Sequence, residues 1–192
     1  MDTLAQEKAK LRRELRSKRR RQERDVLLRD SEAICARLLE LPELRRAKTV
    51  FCYVSCLGEV ETHRLIDDLL AQGKIVAVPR CKAEGQMDCV PIASLEELVP
   101  GTMNIPEPPP DAPDIAAELV DFAVVPAVAC GRDGSRLGQG GGYYDRFLAR
   151  VSCPFAAVCQ TAFLLPEIPC EPHDRKMSMI VTPQQVLRFE EV

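Results

Sequence analysis

The sequence predicts an α/β fold: three layers, with a mostly parallel central sheet, helices on both faces and an N-terminal helical segment packed on the body. Three observations predict it. From residue 48 onward, short β-rich apolar runs alternate with amphipathic helical stretches. The run VDFAVVPAVAC (120–130) is the most hydrophobic of them and has the unbroken apolar character of a strand covered on both faces. The first 41 residues contain strong helix formers and neither glycine nor proline.

In chain order, LAQEKAKLRRELRSKRRRQER is expected to form a helix whose Leu4, Leu11 and Leu15 make an apolar stripe that packs on the body. RDVLLRDSEAICARLLEL follows as a second helix and stops at Pro42. KTVFCYV (48–54), ETHRLIDDLLAQG (61–73) and KIVAVPR (74–80) read as strand, helix closed by Gly73, and strand, which makes a right-handed parallel crossover. QMDCVPI is a further strand, SLEELVPG a short serine-capped helix and NIPEPPPDAPD a proline-rich loop. The 120–130 strand belongs in the sheet centre. A helix is expected from Tyr143 to Val151, and FAAVCQ and MSMIVTP complete the sheet. At 192 residues the chain fits one domain over 1–192, with N-terminal helices at 1–41 and an α/β body at 48–192.

The bulk numbers exclude several classes of function. A net charge of −3 argues against a general polyanion binder. No apolar run approaches the length of a membrane span, and the charged N-terminus lacks a signal-peptide core, so a cytoplasmic protein without a membrane partner is expected. The nine cysteines include no C-x-x-C pair and are accompanied by only two histidines, so they read as buried reduced thiols rather than a zinc site.

Five stretches can carry chemistry. DGSRLGQGGGYYDRFL (133–148) follows the central strand and enters a helix, the position at which parallel α/β sheets bind ligands. Its glycines let backbone N–H groups converge on an anion, Arg136 can clamp a phosphate, and Asp145 stands where a carboxylate can hold Mg²⁺ beside phosphates. A nucleoside triphosphate is the ligand this chemistry suggests, although neither the P-loop nor the Rossmann fingerprint fits and a ligand-free tight turn is the competing reading. In the basic run from Lys8 to Arg24, Lys8 and Arg12 share a helix face; a solvated face, a contact to ligand phosphate and a nucleic-acid arm all remain open. Glu59 in GEVETH follows the first strand and can accept from a heterocycle, with helix capping the more economical reading; His63 is expected on the helix surface. His173 and Asp174 read as loop polarity before they read as an acid–base pair. Met103 and Ile105 can line an apolar pocket.

These pieces, in this order, resemble the 5-formyltetrahydrofolate cyclo-ligase family. The resemblance rests on KAKLRREL, EVET, VPR (78–80), NIPEP (104–108), RLGQGGGYYDRFL (136–148) and Q…LP…HD…IVT, and spans almost the whole chain. It implies a single α/β domain that couples ATP hydrolysis to ring closure of 5-formyltetrahydrofolate, giving 5,10-methenyltetrahydrofolate, ADP and phosphate through a phosphorylated formyl group. It implies that Lys8 and Arg12 contact ATP together with the loop Arg136, Leu137, Gly138, Gln139, Gly140, Gly141, Gly142, Tyr143 and Tyr144. It further implies that Glu59 anchors the pterin or formyl region of the folate, that Val54, Gln139, Gly140, Gly141, Gly142 and Tyr143 also meet the folate, that Asp145 holds Mg²⁺, and that Arg136, Tyr143 and Asp145 are catalytic. The implied partner is 5-formyltetrahydrofolate, with or without a polyglutamate tail that Arg80 and Lys82 can meet; nucleic acid is disfavoured, and a monomer or weak dimer is expected. The chain departs from the family pattern at Cys130-Gly131, where Phe-Asp is usual, at Gln139, and at Ser178, a position associated with Mg²⁺. These departures leave a catalytically weakened binder of folate or nucleotide as the alternative.

Overall fold

A computed structural model describes residues 3–56, 58–101, 105–171 and 174–189. The chain begins with α1 (Leu4–Arg20), whose start is set by a capping box in which Thr3 and Gln6 each accept from the other's backbone N–H. Helix α2 (Arg24–Glu40) presents Ile34, Cys35 and Leu38 on one buried face. Pro42 ends that helix as expected and opens the short α3 (Pro42–Arg46), at the first helical turn where its missing N–H costs nothing.

The central sheet has seven strands: β1 (Thr49–Cys52), β2 (Ile75–Cys81), β3 (Met87–Ile92), β6 (Phe122–Val125), β9 (Phe155–Val158), β11 (Met179–Val181) and β12 (Val186–Arg188). Their order is β12-β11-β9-β6-β1-β2-β3, with β6 in the middle. Every internal pairing is parallel, and only the edge strands β3 and β12 run antiparallel. Helix α4 (His63–Ala71) connects β1 to β2, and Gly73 turns the chain after it at φ +76°.

Strand alternation divides the core in two. Val50, Cys52, Val76, Val78, Phe122 and Val124 face the side covered by α2, α3 and α4, while Phe51, Ala77, Ala123 and Val125 face the side covered by α1 and α5 (Tyr143–Leu148). The three-layer expectation therefore holds. Among the described residues no helix is long and apolar enough to cross a membrane. All nine cysteines are free thiols; six are buried, Cys81 is half-buried, and Cys56 and Cys170 are exposed, so the expectation of buried thiols holds for most of them.

Three local expectations are corrected. The run 120–130 is not one strand: β6 ends at Val125, Pro126 has no N–H to continue a ladder, and Ala129–Gly131 forms β7 in a separate small sheet with β8 (Arg136–Leu137) and β10 (Leu164–Leu165). SLEELVPG is a single 3₁₀ turn, Leu95–Glu97, capped by the Ser94 hydroxyl as expected; it runs into β4 (Val99–Pro100), which pairs with β5 (Pro106–Glu107) inside the proline-rich stretch. Helix α5 stops at Leu148, short of Val151.

Candidate active site

The break at Pro126 determines how the glycine loop is delivered. Strands β7 and β8 form a hairpin in which Ala129 faces Leu137 and Cys130 faces Arg136. Its turn uses Gly134 at φ +87°, and Asp133 accepts from the Ser135 hydroxyl at 2.5 Å and from the Ser135 N–H at 3.2 Å. Arg136 thus projects from a strand rather than from a flexible loop. The space that a side chain at Gly131 would need is taken by Ser135 Oγ and a carboxylate oxygen of Asp133. Ser178 Oγ accepts from the Phe155 N–H at 3.4 Å. Neither Gly131 nor Ser178 lines the cavity described below.

Arg136 is buried. It donates from Nη1 to Pro126 O at 3.2 Å and from Nη2 to Asp145 Oδ1 at 3.0 Å, and its guanidinium carbon lies 5.6 Å from the Tyr144 ring centre. Its Nε is buried without a hydrogen-bond partner. The two residues expected to hold phosphate and metal are therefore an ion pair across the glycine loop. Between them, Gly140 (φ +105°) and Gly142 (φ +69°) occupy backbone conformations that side chains rarely adopt, and Gly142 forms the N-cap of α5. A Cβ at Gly138 would come within 2.9 Å of the Arg136 guanidinium.

Helix α1 lies against this loop. Arg12 Nε donates to Gly138 O at 2.8 Å, and Arg16 donates to both the backbone and the side-chain oxygen of Gln139. Burial, then Arg16, pull Arg12 below its ordinary value. Lys8 is buried and pairs with Glu171 at 2.8 Å and with Asp174. Burial pulls Lys8 down, but the hydrogen bonds to Asp174 and Glu171 outweigh it and hold the ammonium above its ordinary value.

Lys8, Arg12, Arg136, the glycine loop, Asp145, Glu171 and Asp174 line one cavity of about 350 Å³ at the C-terminal end of the parallel strands, joined there by Pro126 to Val128 just after β6, by Tyr53 and Val54 just after β1, and by Pro79 and Cys81 of β2. Every residue expected at the site on the strength of the family resemblance lines it: Lys8, Arg12, Val54, Glu59, Arg136 through Tyr144, and Asp145. Glu59 does not cap α4, which begins at His63; its carboxylate instead accepts from the Cys56 N–H at 3.1 Å. His63 is exposed, as expected. A second groove of about 840 Å³, lined by Arg16, Arg19, Arg20 and Arg24, adjoins the cavity and shares Cys56, Glu59, Val128 and Gln139 with it.

Sequence reasoning missed several residues of this cavity. Asp174, read as loop polarity, and Glu171 reach it through Lys8; His173 lies outside the described residues. Ile105 lines the cavity and Met103 lies outside the described residues, while Glu107, to which no role was given, lines it as well. Arg80 and Lys82 do not: both pair with Asp88, and Arg80 also donates to Pro109 O and Ala112 O. Glu107 belongs to the NIPEP stretch already singled out, but nothing there distinguished its carboxylate, whereas no pattern in the sequence marks Glu171. Among the described residues no group of three or more His, Cys, Asp or Glu side chains is arranged to hold a metal ion.

Residues 4–183 match the sequence profile of the 5-formyltetrahydrofolate cyclo-ligase family. The chain belongs to that family. It is 33% identical over 175 residues to the probable 5-formyltetrahydrofolate cyclo-ligase of Schizosaccharomyces pombe, an alignment covering 82% of this chain and 86% of that protein. It is 31% identical over 194 residues to the 5-formyltetrahydrofolate cyclo-ligase of Mus musculus, covering 93% and 95%. The solved 5,10-methenyltetrahydrofolate synthetase of Aquifex aeolicus superposes with a TM-score of 0.86 at 30% identity, covering 96% of this chain and 94% of that one. The resemblance read from RLGQGGGYYDRFL is borne out, and with it the cyclo-ligase class and the fold.

Proposed function

We propose that this chain is an active cyclo-ligase, converting 5-formyltetrahydrofolate to 5,10-methenyltetrahydrofolate with hydrolysis of ATP to ADP and phosphate, and that the cavity beneath α1 is where it does so. One observation carries the reading: stretches separated by more than a hundred residues bring Lys8, Arg12, Glu59, the glycine loop and Asp145 to a single cavity at the C-terminal end of a parallel sheet.

The formyl oxygen attacks the γ-phosphate of ATP, N10 adds to the activated formyl carbon and loses its proton, and phosphate departs to leave the methenyl bridge. The formyl oxygen of an amide-like group is a poor leaving group until it is phosphorylated. The chain's part is positioning and charge stabilisation. The residues fit a triphosphate: the backbone opened by Gly140 and Gly142 supplies N–H donors, Lys8 and Arg12 supply charge from one helix face, and Arg136 carries a buried donor with no protein partner. They also fit Mg²⁺ in its usual form, which takes one or two carboxylates plus phosphate oxygens and water; Asp145 would hold it, and it would supply charge neutralisation between phosphates. Arg136 keeps the Asp145 carboxylate aimed into the cavity through their ion pair.

The glutamate end of the folate, single or polyglutamylated, carries only negative charge, and the groove, where Arg16, Arg19, Arg20 and Arg24 outnumber Glu59 and Glu61, is the complementary surface. The protein works in the cytoplasm as a single domain, as a monomer or weak dimer. The experiment is turnover of purified protein with 5-formyltetrahydrofolate and MgATP, read as near-UV absorbance of the methenyl product and as ADP release. ATP-dependent product is expected, and its absence at high protein concentration overturns the reading.

A further inference from the structure

Consecutive residues of α5 grip the glycine loop from two sides. Asp145 pairs with Arg136, and both line the cavity, whereas Arg146 does not line it and lies outside the loop. Arg146 Nη1 donates to Gly141 O at 2.9 Å and, more weakly, to Gly85 O at 3.4 Å. It thereby ties the loop to the turn between β2 and β3.

That turn is shaped around the guanidinium. Glu84 (φ +59°) and Gly85 (φ +71°) are both left-handed, a conformation that a residue with a side chain adopts at a cost. A Cβ at Gly85 would collide with Arg146 Nη1 and lie 2.8 Å from Gly141 O, and one at Gly142 would lie 2.7 Å from the same Nη1. Farther along, Arg150 donates to Met87 O at 3.2 Å, so two arginines hold the β2–β3 hairpin against this segment.

In a trans peptide the C=O of one residue and the N–H of the next point in opposite directions. With Gly141 O drawn outward by Arg146, the Gly142 N–H points away from Arg146, and Gly142 lines the cavity. Arg16, which also stays out of the cavity, draws Gln139 O at 3.0 Å and so turns the Gly140 N–H. Among the described residues, the N–H groups of Gly140 and Gly142 donate to no protein acceptor.

We propose that Arg146 is a positioning residue for the phosphates of ATP: from outside the cavity it fixes the Gly141–Gly142 peptide with its N–H aimed at the triphosphate. The inference rests on the cyclo-ligase reading, which supplies the nucleotide, and deepens it. Lys8 and Arg12 line the cavity and can pass to the ligand, whereas Arg146 keeps its carbonyl in the free and the bound protein. A donor already aimed before binding has no reorganisation to undergo when the phosphate arrives.

Calorimetric binding of MgATP to Arg146→Ala tests this. The dissociation constant is expected to rise about tenfold, the scale of one charge-assisted hydrogen bond, while that for 5-formyltetrahydrofolate stays within about twofold. The salt dependence of MgATP affinity is expected to match the wild type, because Arg146 acts through a carbonyl and not as a charge on phosphate. Gly85→Ala displaces the same guanidinium without changing any charge. It is expected to weaken MgATP about as much, and the double variant to lose less than the sum of the two. Denaturant unfolding establishes that each protein compared is folded. An unchanged MgATP affinity in Arg146→Ala, an equal loss of MgATP and folate affinity, a flattened salt slope, or additive losses in the double variant each overturns the positioning role. A wild type that binds MgATP without forming product overturns the reaction and leaves the positioning role decided by these affinities. A wild type that does not bind MgATP overturns both.

Discussion

Helices α1 and α2 are each 17 residues long and lie on opposite faces of the same sheet, yet they are held by different forces. Helix α2 is seated by Ile34 and Leu38, both fully buried in a continuous apolar cluster. Helix α1 fully buries one leucine, Leu15, with Leu11 half-buried beside it, and is fastened largely by cations on acceptors of the body: Arg12 on Gly138 O, Arg16 on Gln139, Lys18 on Ala162 O, Arg19 on Ala127 O and Val128 O, and Lys8 on Glu171 and Asp174. Apolar burial is non-directional and is not screened by salt as charges are, so α2 serves the fold. Charges on loop carbonyls can be handed over to an incoming anion, so α1 serves the site.

The largest test of that contrast lies on the apolar side. Leu38→Ala should lower unfolding free energy by about 2–5 kcal/mol in denaturant titration, with kcat/KM of the folded protein little changed. A loss of activity at full stability would place α2 in the site and end the distinction. On the polar side, Asp145→Asn should cut turnover by about 10²-fold or more, the scale of lost charge stabilisation, read by methenyl absorbance. An unchanged rate would remove Asp145 from the chemistry and leave its pair with Arg136 purely structural.

Lys8→Met should weaken ATP about tenfold, the scale of one charge-assisted hydrogen bond, and flatten the salt dependence of ATP affinity. Equal salt slopes for variant and wild type would mean that Lys8 stays with Glu171 and Asp174 when ATP binds. The smallest effect concerns acid. Burial pushes Asp88 up, but hydrogen bonds from Lys82 and Arg80 outweigh it and hold the carboxyl below its ordinary value of 3.8. A folded-state value below the unfolded one contributes stability above pH 3.8 that is lost as pH falls through the folded value. Asp88→Asn should therefore lower stability at neutral pH and flatten its fall below about pH 4 in acid titrations of the unfolding midpoint. Identical acid profiles would show that the Arg80 clamp on the proline-rich stretch does not depend on Asp88.

Much of this molecule is legible in the sequence because the relevant signals are local. Unbroken apolar runs in VFCYV and KIVAVPR mark strands covered on both faces, Pro42 and Gly73 mark helix ends, and the clustered glycines of 138–142 mark a backbone that must approach something closely. The boundaries that went astray did so for tertiary reasons. The run 120–130 is apolar throughout, and only Pro126 hints that its second half joins another sheet. The stripe expected from Leu4, Leu11 and Leu15 is completed by Lys8, because two acids from residues 171 and 174 neutralise it in place.

By itself, then, the sequence determined most of the element types, the family and the glycine loop that lines the cavity, since each depends on residues near one another in the chain. Only the tertiary structure decided which charges meet. That Lys8 meets Glu171 and Asp174, that Arg12 reaches Gly138 and that Arg16 reaches Gln139 all depend on contacts between segments whose spacing along the chain carries no trace of their proximity. Electrostatic energy falls off with distance in space and is blind to distance in sequence.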